Sequence, residues 1–487
     1  MNTSTLHGVT EARRRALRTG GILVVASAAS CALALVDVQL GFVPLGILAL
    51  WWIAKALGVG LSVPREKIGW LYASVIFVTC WAPALGMAGT VARFGLATVV
   101  IVTLSSVDKN KEPRLPGALR LGLAALVLSL LISTLGAASP AYGISRFLNW
   151  VMFLPLLWLA YYRPNPKGVV VGLVATGLFQ MAGVGLQMAG LMQGTWGGLL
   201  TSGLTYNPET SKWLTRYTGF ILNPNNLALV LACGVIALAA CLLLEIPVRL
   251  KMLCAGFIGL FAFGIIASGS RGGLVAVGLG LSLLFFAAGR RGILLSFLAA
   301  VASLLVIQFA ASQELDRLVS SFAEIASGTD ASSIQRSGIW LKRLGEASGG
   351  ELFGGGGFGG YAPSLFGDQQ GFLVDPDLAR RATVDNSWLK TLLESGFTGV
   401  VGLALTLLFP MFGSIFRSTG DRRLWGIATG SVLIACIWRS LSADMIDQNP
   451  WNAIFFLAAG MAAASFKNEP IEACAVGASP VVAPGPR

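Results

Sequence analysis

A short polar sequence interrupts two long apolar stretches in the middle of the chain. It reads Ser268-Gly269-Ser270-Arg271-Gly272-Gly273. A charged side chain at the centre of a bilayer costs about 2.5–3.5 kcal/mol on the mildest scale, so an arginine here needs a physical reason. The two glycines after it let a backbone or a bulky anionic ligand approach closely. The pattern predicts an anion site at a membrane surface; the structural alternative is an arginine that only reaches the interface from a helix end.

A second arginine, Arg216, ends a polar loop just before Asn223-Pro224-Asn225-Asn226. Pro224 suits the first turn of a helix and Asn223 suits its N-cap. The start of this helix would present free backbone N–H groups, which favour anions. Two arginines and a helix N-terminus at one membrane level would form a diphosphate cradle, because guanidinium groups bind phosphate oxygens through paired hydrogen bonds. Two unrelated interfacial arginines are the alternative.

A third group of polar residues starts at Asp385. Asn386, Lys390 and Glu394 are spaced i, i+4, i+8 and therefore share one helical face. Lys390 and Glu394 can pair with each other. Asp385 stands where an N-cap would stand, which is its default explanation. Its carboxylate could instead accept a proton from a sugar hydroxyl.

Composition places all three groups in a membrane protein. The chain has 487 residues, of which 55% are hydrophobic and 12% are charged, and this excludes a soluble globular protein. The net charge of +12 lies mostly in short loops, as topology determinants do, so nucleic acid is not an expected partner. No CxxC pair is present and the single histidine, His7, lies in a basic leader, so no metal site is expected.

Apolar stretches predict an all-α polytopic membrane protein with about 12–14 transmembrane helices. The predicted spans lie near 21–36, 40–59, 69–86, 91–105, 117–136, 146–162, 168–190, 222–243, 252–268, 273–289, 292–311, 386–411, 424–441 and 451–465. Basic residues fall in alternate loops, which puts both termini in the cytoplasm.

The expected organisation has five parts. A cytoplasmic basic leader (1–20) precedes transmembrane helices (21–311), a long outer loop with short helices (312–385), C-terminal transmembrane helices (386–465) and a disordered cytoplasmic tail (466–487). Amphipathic spacing predicts the short helices at 317–325 and 336–347, lying over the membrane domain. The glycine run at 354–360 is predicted to be a tight turn, a mobile lid or a flexible linker.

Four pieces in this order resemble the O-antigen ligase and polymerase superfamily of bacterial envelope glycosyltransferases. They are Arg216-Tyr217-Thr218-Gly219-Phe220 with Asn223-Pro224-Asn225-Asn226; the 268–273 hexapeptide; Arg336 and Trp340 with Leu352-Phe353-Gly354; and Asp385-Asn386-Ser387-Trp388-Leu389 with Glu394, Gly396 and Gly399. The resemblance covers residues 216–410, while the flanks match only in hydropathy.

This resemblance implies a membrane glycosyltransferase (GT-C-like) fold in the bacterial inner membrane, with its active site facing the periplasm. The donor would be a glycan on undecaprenyl diphosphate and the acceptor a glycan or glycolipid, with no metal or other cofactor. Arg216 and Arg271 would hold the diphosphate and stabilise it as it leaves. The other expected substrate-binding residues are Asn223, Asn225, Arg336, Asn386, Lys390 and Glu394.

The chain departs from the ligases at one position. They resemble one another in a histidine directly before the Asn-Ser type dipeptide, where this chain has Asp385. Either Asp385 is the base, or the arginines do most of the work and no strong base is needed. The departure favours a polymerase of O-antigen or exopolysaccharide over a ligase to lipid A-core. A flippase for lipid-linked oligosaccharides is the alternative from another class, but charges gathered at helix ends and no visible internal repeat favour the enzyme.

Overall fold

The computed structural model describes residues 63–81, 86–107, 114–137, 140–190, 203–207, 212–221, 223–288, 331–358, 386–419, 422–443 and 451–466. The spans predicted near 21–36, 40–59 and 292–311, the short helix predicted at 317–325, the leader and the tail lie outside these ranges.

The described part of the chain is almost entirely helical. Its helices are α1 (Ile68–Trp81), α2 (Gly86–Ser105), α3 (Gly117–Leu135), α4 (Pro140–Val151), α5 (Leu154–Tyr162), α6 (Pro166–Met188), α7 (Pro224–Leu242), α8 (Val248–Ala267), α9 (Arg271–Ala288), α10 (Ala331–Glu346), α11 (Gly349–Gly354), α12 (Ser387–Phe416), α13 (Arg423–Ser440) and α14 (Trp451–Ser465). Short 3-10 helices occur at Arg65–Lys67 and Gly219–Ile221.

Within the described ranges, six helical segments are long and apolar enough to cross a bilayer. They are Gly117–Leu135, Gly143–Tyr162, Pro166–Met188, Pro224–Leu242, Val248–Ala267 and Ser387–Phe416. Shorter apolar helices accompany them, and the central helices α7 and α14 are buried along almost their whole length. The predicted all-α polytopic class is confirmed, and the chain is a multi-pass membrane protein.

The span predicted near 146–162 is two helices rather than one. The helix stops at Val151 and resumes at Leu154. Pro155 has no N–H for the carbonyl of Val151, so an unbroken ladder is impossible here. Beside this break the buried Asn452 of α14 donates from Nδ2 to the carbonyl of Asn149. Helix α14 thus bonds to the main chain two residues before the carbonyl that Pro155 leaves without its helical donor.

A β-hairpin lies in the polar loop that the sequence analysis left without secondary structure. Strands β1 (Gly203–Asn207) and β2 (Lys212–Arg216) pair antiparallel, with Gly203 opposite Arg216. Both strands are short, so their alternation was too brief to stand out from the loop. The pairing ends at Arg216, and the hairpin therefore fixes where this arginine enters the helix bundle.

The described helix ends that border several of the predicted outer loops lie together at one end of the bundle. This polar end contains the starts of α7, α9, α12 and α14 and the ends of α8 and α13. Trp451 at the start of α14 donates from Nε1 to Asn226 Oδ1 of α7 at 3.0 Å. At the opposite end, the Tyr161 hydroxyl donates to the carbonyl of Arg114, in one of the basic loops, at 3.0 Å. The compartment that each end faces remains a prediction from the charge pattern.

Candidate functional site

Arg216 binds directly to the turn at 268–273, here called the arginine turn. Its Nε donates to the carbonyl of Ser268 at 2.9 Å, and its Nη2 donates to the carbonyl of Gly269 at 3.4 Å. Nη2 also donates to Asn225 Oδ1 at 3.1 Å. The hairpin, the arginine turn and the start of α7 are joined by these three bonds. The first two groups of predicted site residues therefore lie together.

The segment that carries Arg216 into the bundle is irregular and is held by two glutamines on one face of α6. Gln187 Oε1 accepts from the N–H groups of Thr218 and Gly219, both at 3.1 Å. Gln180 Oε1 accepts from the N–H of Ile221 at 3.0 Å. Non-helical backbone inside a membrane protein is tolerated only where such partners satisfy it. The hairpin before Arg216 and the segment 218–221 after it thus both fix the position of this arginine.

The arginine turn overlaps the start of α9, whose first residue is Arg271. Gly269 has φ of +62°, a value that permits the sharp reversal after α8. Ser270 Oγ donates to Asn225 Oδ1 at 3.0 Å and accepts from the N–H of Gly273 at 3.3 Å, so it caps α9. The half-buried Arg271 therefore stands at a helix N-terminus, where the helix dipole adds partial positive charge. Both features favour an anion.

The start of α7 differs from the prediction in one respect. Asn223 Oδ1 accepts from the N–H groups of Asn225 and Asn226, at 2.9 and 3.2 Å, and Pro224 has no N–H. The cap itself is as predicted, but it occupies the donors that were expected to be free for an anion. The groups at the polar end that favour binding of an anion are therefore the guanidinium groups and the N-terminus of α9. For Asn223 and Asn225, substrate binding remains a prediction.

The cap of α12 is Asn386 rather than Asp385. Asn386 Oδ1 accepts from the N–H groups of Trp388 and Leu389, at 3.0 and 3.1 Å. The prediction that Asp385 occupies the N-cap is wrong by one residue, and the commonest structural explanation for this aspartate is removed. Asp385 itself lies outside the described residues, and its role as a base stays a prediction.

The end of α13 connects α12 to the rest of the polar end. Trp388 donates from Nε1 to Ser440 Oγ at 2.8 Å, and the Ser387 hydroxyl donates to the carbonyl of Ala443 at 3.0 Å. These contacts hold the first turn of α12 against the last turn of α13. The third group of predicted residues thus joins the first two through α13.

Arg439 in that last turn of α13 received no role from the sequence. Its side chain is buried, with 4% of its surface exposed. It packs against Gly272 of α9, where an added Cβ would lie 2.7 Å from Arg439 Nη1. Nη1 donates to Ser442 Oγ at 2.6 Å. The signal in the sequence was a cation in the last turn of an apolar helix. The structure places Arg439 at the polar end with Arg216 and Arg271.

Helix α12 is broken at Gly396, where φ is +67° and ψ is −174°. The residues before the break, 387–395, form the N-terminal segment of α12 and include the buried Lys390 and Glu394. Because the ladder is interrupted, the carbonyls of Leu393 and Glu394 need donors from elsewhere. The substrate-binding role of Lys390 remains a prediction.

The donors come from the glycine run in the long loop, of which residues 355–358 are here called the glycine strap. Gly356 donates to the carbonyl of Leu393 at 2.8 Å, and Gly357 donates to that of Glu394 at 3.1 Å. Phe358 is fully buried and its N–H donates to the carbonyl of Ser133 in α3 at 3.0 Å. Residues 355–358 fit the tight-turn prediction, and the mobile-lid and flexible-linker alternatives remain predictions.

Glu394 is held by its side chain as well as its backbone. Its Oε2 lies 3.7 Å from Nη2 of Arg146 in α4, and its carbonyl accepts from the Ser133 hydroxyl at 2.9 Å. The sequence analysis left open a pair between Lys390 and Glu394, and it missed Arg146. The signal for Arg146 was a single cation inside an otherwise apolar span. For Glu394, substrate binding remains a prediction.

The helix predicted at 336–347 is confirmed as α10. Trp340 and Ala347 pack on Leu389 and Leu393, so this helix lies over the N-terminal segment of α12. Arg336 belongs to α10, but its side chain is outside the described part of the chain. Its substrate-binding role therefore stays a prediction.

Comparison with known proteins gives one family. Residues 256–405 match the family model described as O-Antigen ligase. The match contains the arginine turn, the glycine strap and the N-terminal segment of α12, while Arg216 precedes it and Arg439 follows it. No curated protein matches the chain. This match supports the resemblance of residues 256–405 to the superfamily of O-antigen ligases and polymerases.

Proposed function

We propose that this protein is an inverting glycosyltransferase that takes its glycan from undecaprenyl diphosphate at the periplasmic face of the bacterial inner membrane. The observation that carries the proposal is the bonding of Arg216 across the arginine turn, because it sets this arginine beside the helix start that bears Arg271. The family match supports glycan transfer of the ligase or polymerase type. The basic loops at the opposite end support a periplasmic polar end.

The arginines have the charge that a departing diphosphate requires. Two opposite unit charges about 4 Å apart attract each other by about 4 kcal/mol at an effective dielectric constant of about 20. A contact that strengthens as negative charge moves onto the diphosphate lowers the barrier, and each 1.36 kcal/mol is worth about tenfold in rate. In this proposal Arg216 and Arg271 touch the diphosphate, and the start of α9 adds its dipole.

The transfer is a single displacement at the anomeric carbon. An acceptor hydroxyl oxygen forms the new glycosidic bond on the face opposite the diphosphate. The bond between the anomeric carbon and the diphosphate oxygen breaks, and its electron pair stays on the diphosphate. The hydroxyl proton passes to the Asp385 carboxylate. A carboxylate is a weak base toward a sugar hydroxyl, so in this proposal leaving-group stabilisation by the arginines carries most of the rate enhancement.

Between the two family activities, we propose the polymerase type, which extends O-antigen or exopolysaccharide. The supporting observation is Asp385 in place of the histidine expected of ligases. Ligation to lipid A-core is the other outcome, and the identity of the acceptor decides between them.

Reconstitution tests the proposal directly. Purified protein in proteoliposomes is given an undecaprenyl-diphosphate oligosaccharide, with either a second copy of that donor or lipid A-core as acceptor. We expect release of undecaprenyl diphosphate and a longer glycan, and strong loss of both in Arg216→Ala and Arg271→Ala. The control is Arg343→Ala, since Arg343 pairs with Glu346 on α10. Donor that crosses the bilayer unchanged, or full activity in Arg271→Ala, would refute the proposal.

A further inference from the structure

Arg146 lies in the apolar segment Gly143–Tyr162, and it forms an ion pair in the interior of the protein. The Arg146 side chain is 11% exposed and its partner Glu394 is 3% exposed. Ionisable side chains inside a membrane span are costly and are usually retained for function. A buried ion pair also gains little net stability, because the desolvation of both charges offsets their attraction. Stability alone is therefore a poor explanation for this pair.

The pair acts at the point where the N-terminal segment of α12 is fixed. Hydrogen bonds from the Gly357 backbone N–H and from the Ser133 hydroxyl hold the carbonyl of Glu394. These bonds set how deep the segment lies. The ion pair with Arg146 holds the Glu394 side chain instead. Because this side chain projects away from the helix axis, the pair restrains rotation of the segment about that axis.

Rotation set at Glu394 is transmitted to the start of α12. Asn386, Lys390 and Glu394 lie on one face of a segment only nine residues long, 387–395. A rigid helix turns as a unit, so the direction of its first turn follows from the direction of Glu394. That first turn lies one residue after Asp385, the proposed base.

On the basis of the proposed function, we propose that Arg146 is a positioning residue for glycan transfer. Its ion pair with Glu394 sets the rotation of the N-terminal segment of α12 and so directs the acceptor side of the site toward the donor. The donor diphosphate is held from β2 and α9, which are separate elements. Loss of the pair therefore lowers kcat and leaves donor affinity nearly unchanged.

The test uses the full-length protein in proteoliposomes with four variants: Arg146→Gln, Glu394→Gln, the double variant of both, and the exchanged pair Arg146→Glu with Glu394→Arg. Misplacement of a reacting group by about 1 Å costs about 100-fold in rate, so we expect kcat to fall about 10- to 100-fold in each single variant. The double variant should be no slower than the slower single variant, because both remove one interaction. The exchanged pair should recover most of the lost rate.

Binding of undecaprenyl diphosphate alone is measured on the same preparations. We expect its Kd, and the KM for the donor, to change by less than about threefold, since the ion pair does not touch the diphosphate. Glu346→Gln, which removes an ion pair on α10, is the matched control and should keep wild-type kcat. Thermal unfolding shows whether each variant is folded; the double variant removes both charges of the Arg146–Glu394 pair and is the decisive one if a single variant fails to fold.

The outcomes separate the two proposals. An active wild type with unchanged kcat in the double variant would overturn the positioning role and leave the proposed function standing. So would a loss of donor affinity equal to the loss of kcat, since that marks Glu394 or Arg146 as part of the donor site. A wild type that neither binds undecaprenyl diphosphate nor releases it refutes the proposed function, and the positioning role with it.

Discussion

Replacing Gly396 by alanine should detach the glycine strap from α12. Gly396 has φ of +67° and ψ of −174°, a combination that is almost exclusive to glycine and costs other residues about 1–3 kcal/mol. An added Cβ would also overlap the carbonyl oxygen of Phe353 and lie 2.7 Å from the nitrogen of Gly355. The backbone that leads into the glycine strap cannot shift to relieve this overlap without moving the strap.

The size of the effect follows from the bonds that the strap makes. Its donors satisfy the carbonyls of Leu393 and Glu394. Each hydrogen bond contributes about 0.5–1.5 kcal/mol, so the two together contribute about 1–3 kcal/mol. Added to the backbone cost, Gly396→Ala should destabilise the protein by about 2–6 kcal/mol. Part of this loss should appear as local opening of the strap.

Two measurements on detergent-purified protein check this prediction. Thermal unfolding should show a clear decrease in Tm for Gly396→Ala. Chymotrypsin should cut after Phe358, which is fully buried in the wild type, once the strap opens. The control is Gly338→Ala in α10, where an added Cβ meets nothing within 4 Å and should leave Tm unchanged or raise it. Wild-type Tm together with a protected Phe358 in Gly396→Ala would refute the assignment of the strap as the partner of the broken helix.

Three further predictions concern neighbouring features. Asn386→Ala removes the cap of α12 and should lower the free energy of unfolding by about 1 kcal/mol. Asp385→Asn should leave Tm unchanged and lower kcat. Equal effects of the two variants on stability would contradict the cap assignment. Gly272→Ala should displace the Arg439 guanidinium and weaken binding of undecaprenyl diphosphate, measured by titration; unchanged affinity would show that Arg439 is only structural. Hydrogen bonds from the Ser348 backbone N–H and hydroxyl lower the pKa of Glu351. The stability that this capping box gives α11 should therefore be complete above the ordinary pKa of a glutamate and be lost as pH falls through the lowered value. Cleavage by pepsin at the exposed Phe353 should rise over that acidic range in the wild type, relative to Glu351→Gln, in which the capping box does not titrate.

Much of the fold was predictable from local sequence. Apolar length gave most described helices to within a few residues, and Asn223-Pro224 marked the start of α7 correctly. Pro155 indicates a break in the sequence, but the long apolar run around it led to the prediction of a single span. These features depend on residues close together in the chain, and local chemistry is enough to decide them.

The links within the site were less predictable. That Arg216 reaches the arginine turn depends on a hairpin and on two glutamines of α6, none of which the local pattern indicates. The contact of Arg439 with Gly272 and the pair of Arg146 with Glu394 join helices far apart in the chain. Their partners are set by helix packing, and one sequence carries no record of that packing.

The bond from Asn452 to the carbonyl of Asn149 also bears on the order of assembly. A ribosome makes α4 and α5 well before α14, which is the last of the described helices. The interrupted span therefore enters the membrane before Asn452, which bonds the carbonyl of Asn149, has been made. Docking of α14 is then the closing event of assembly. Chains truncated before α14 should remain incompletely packed around α4 and α5, even though the arginine turn and the glycine strap are already present in them.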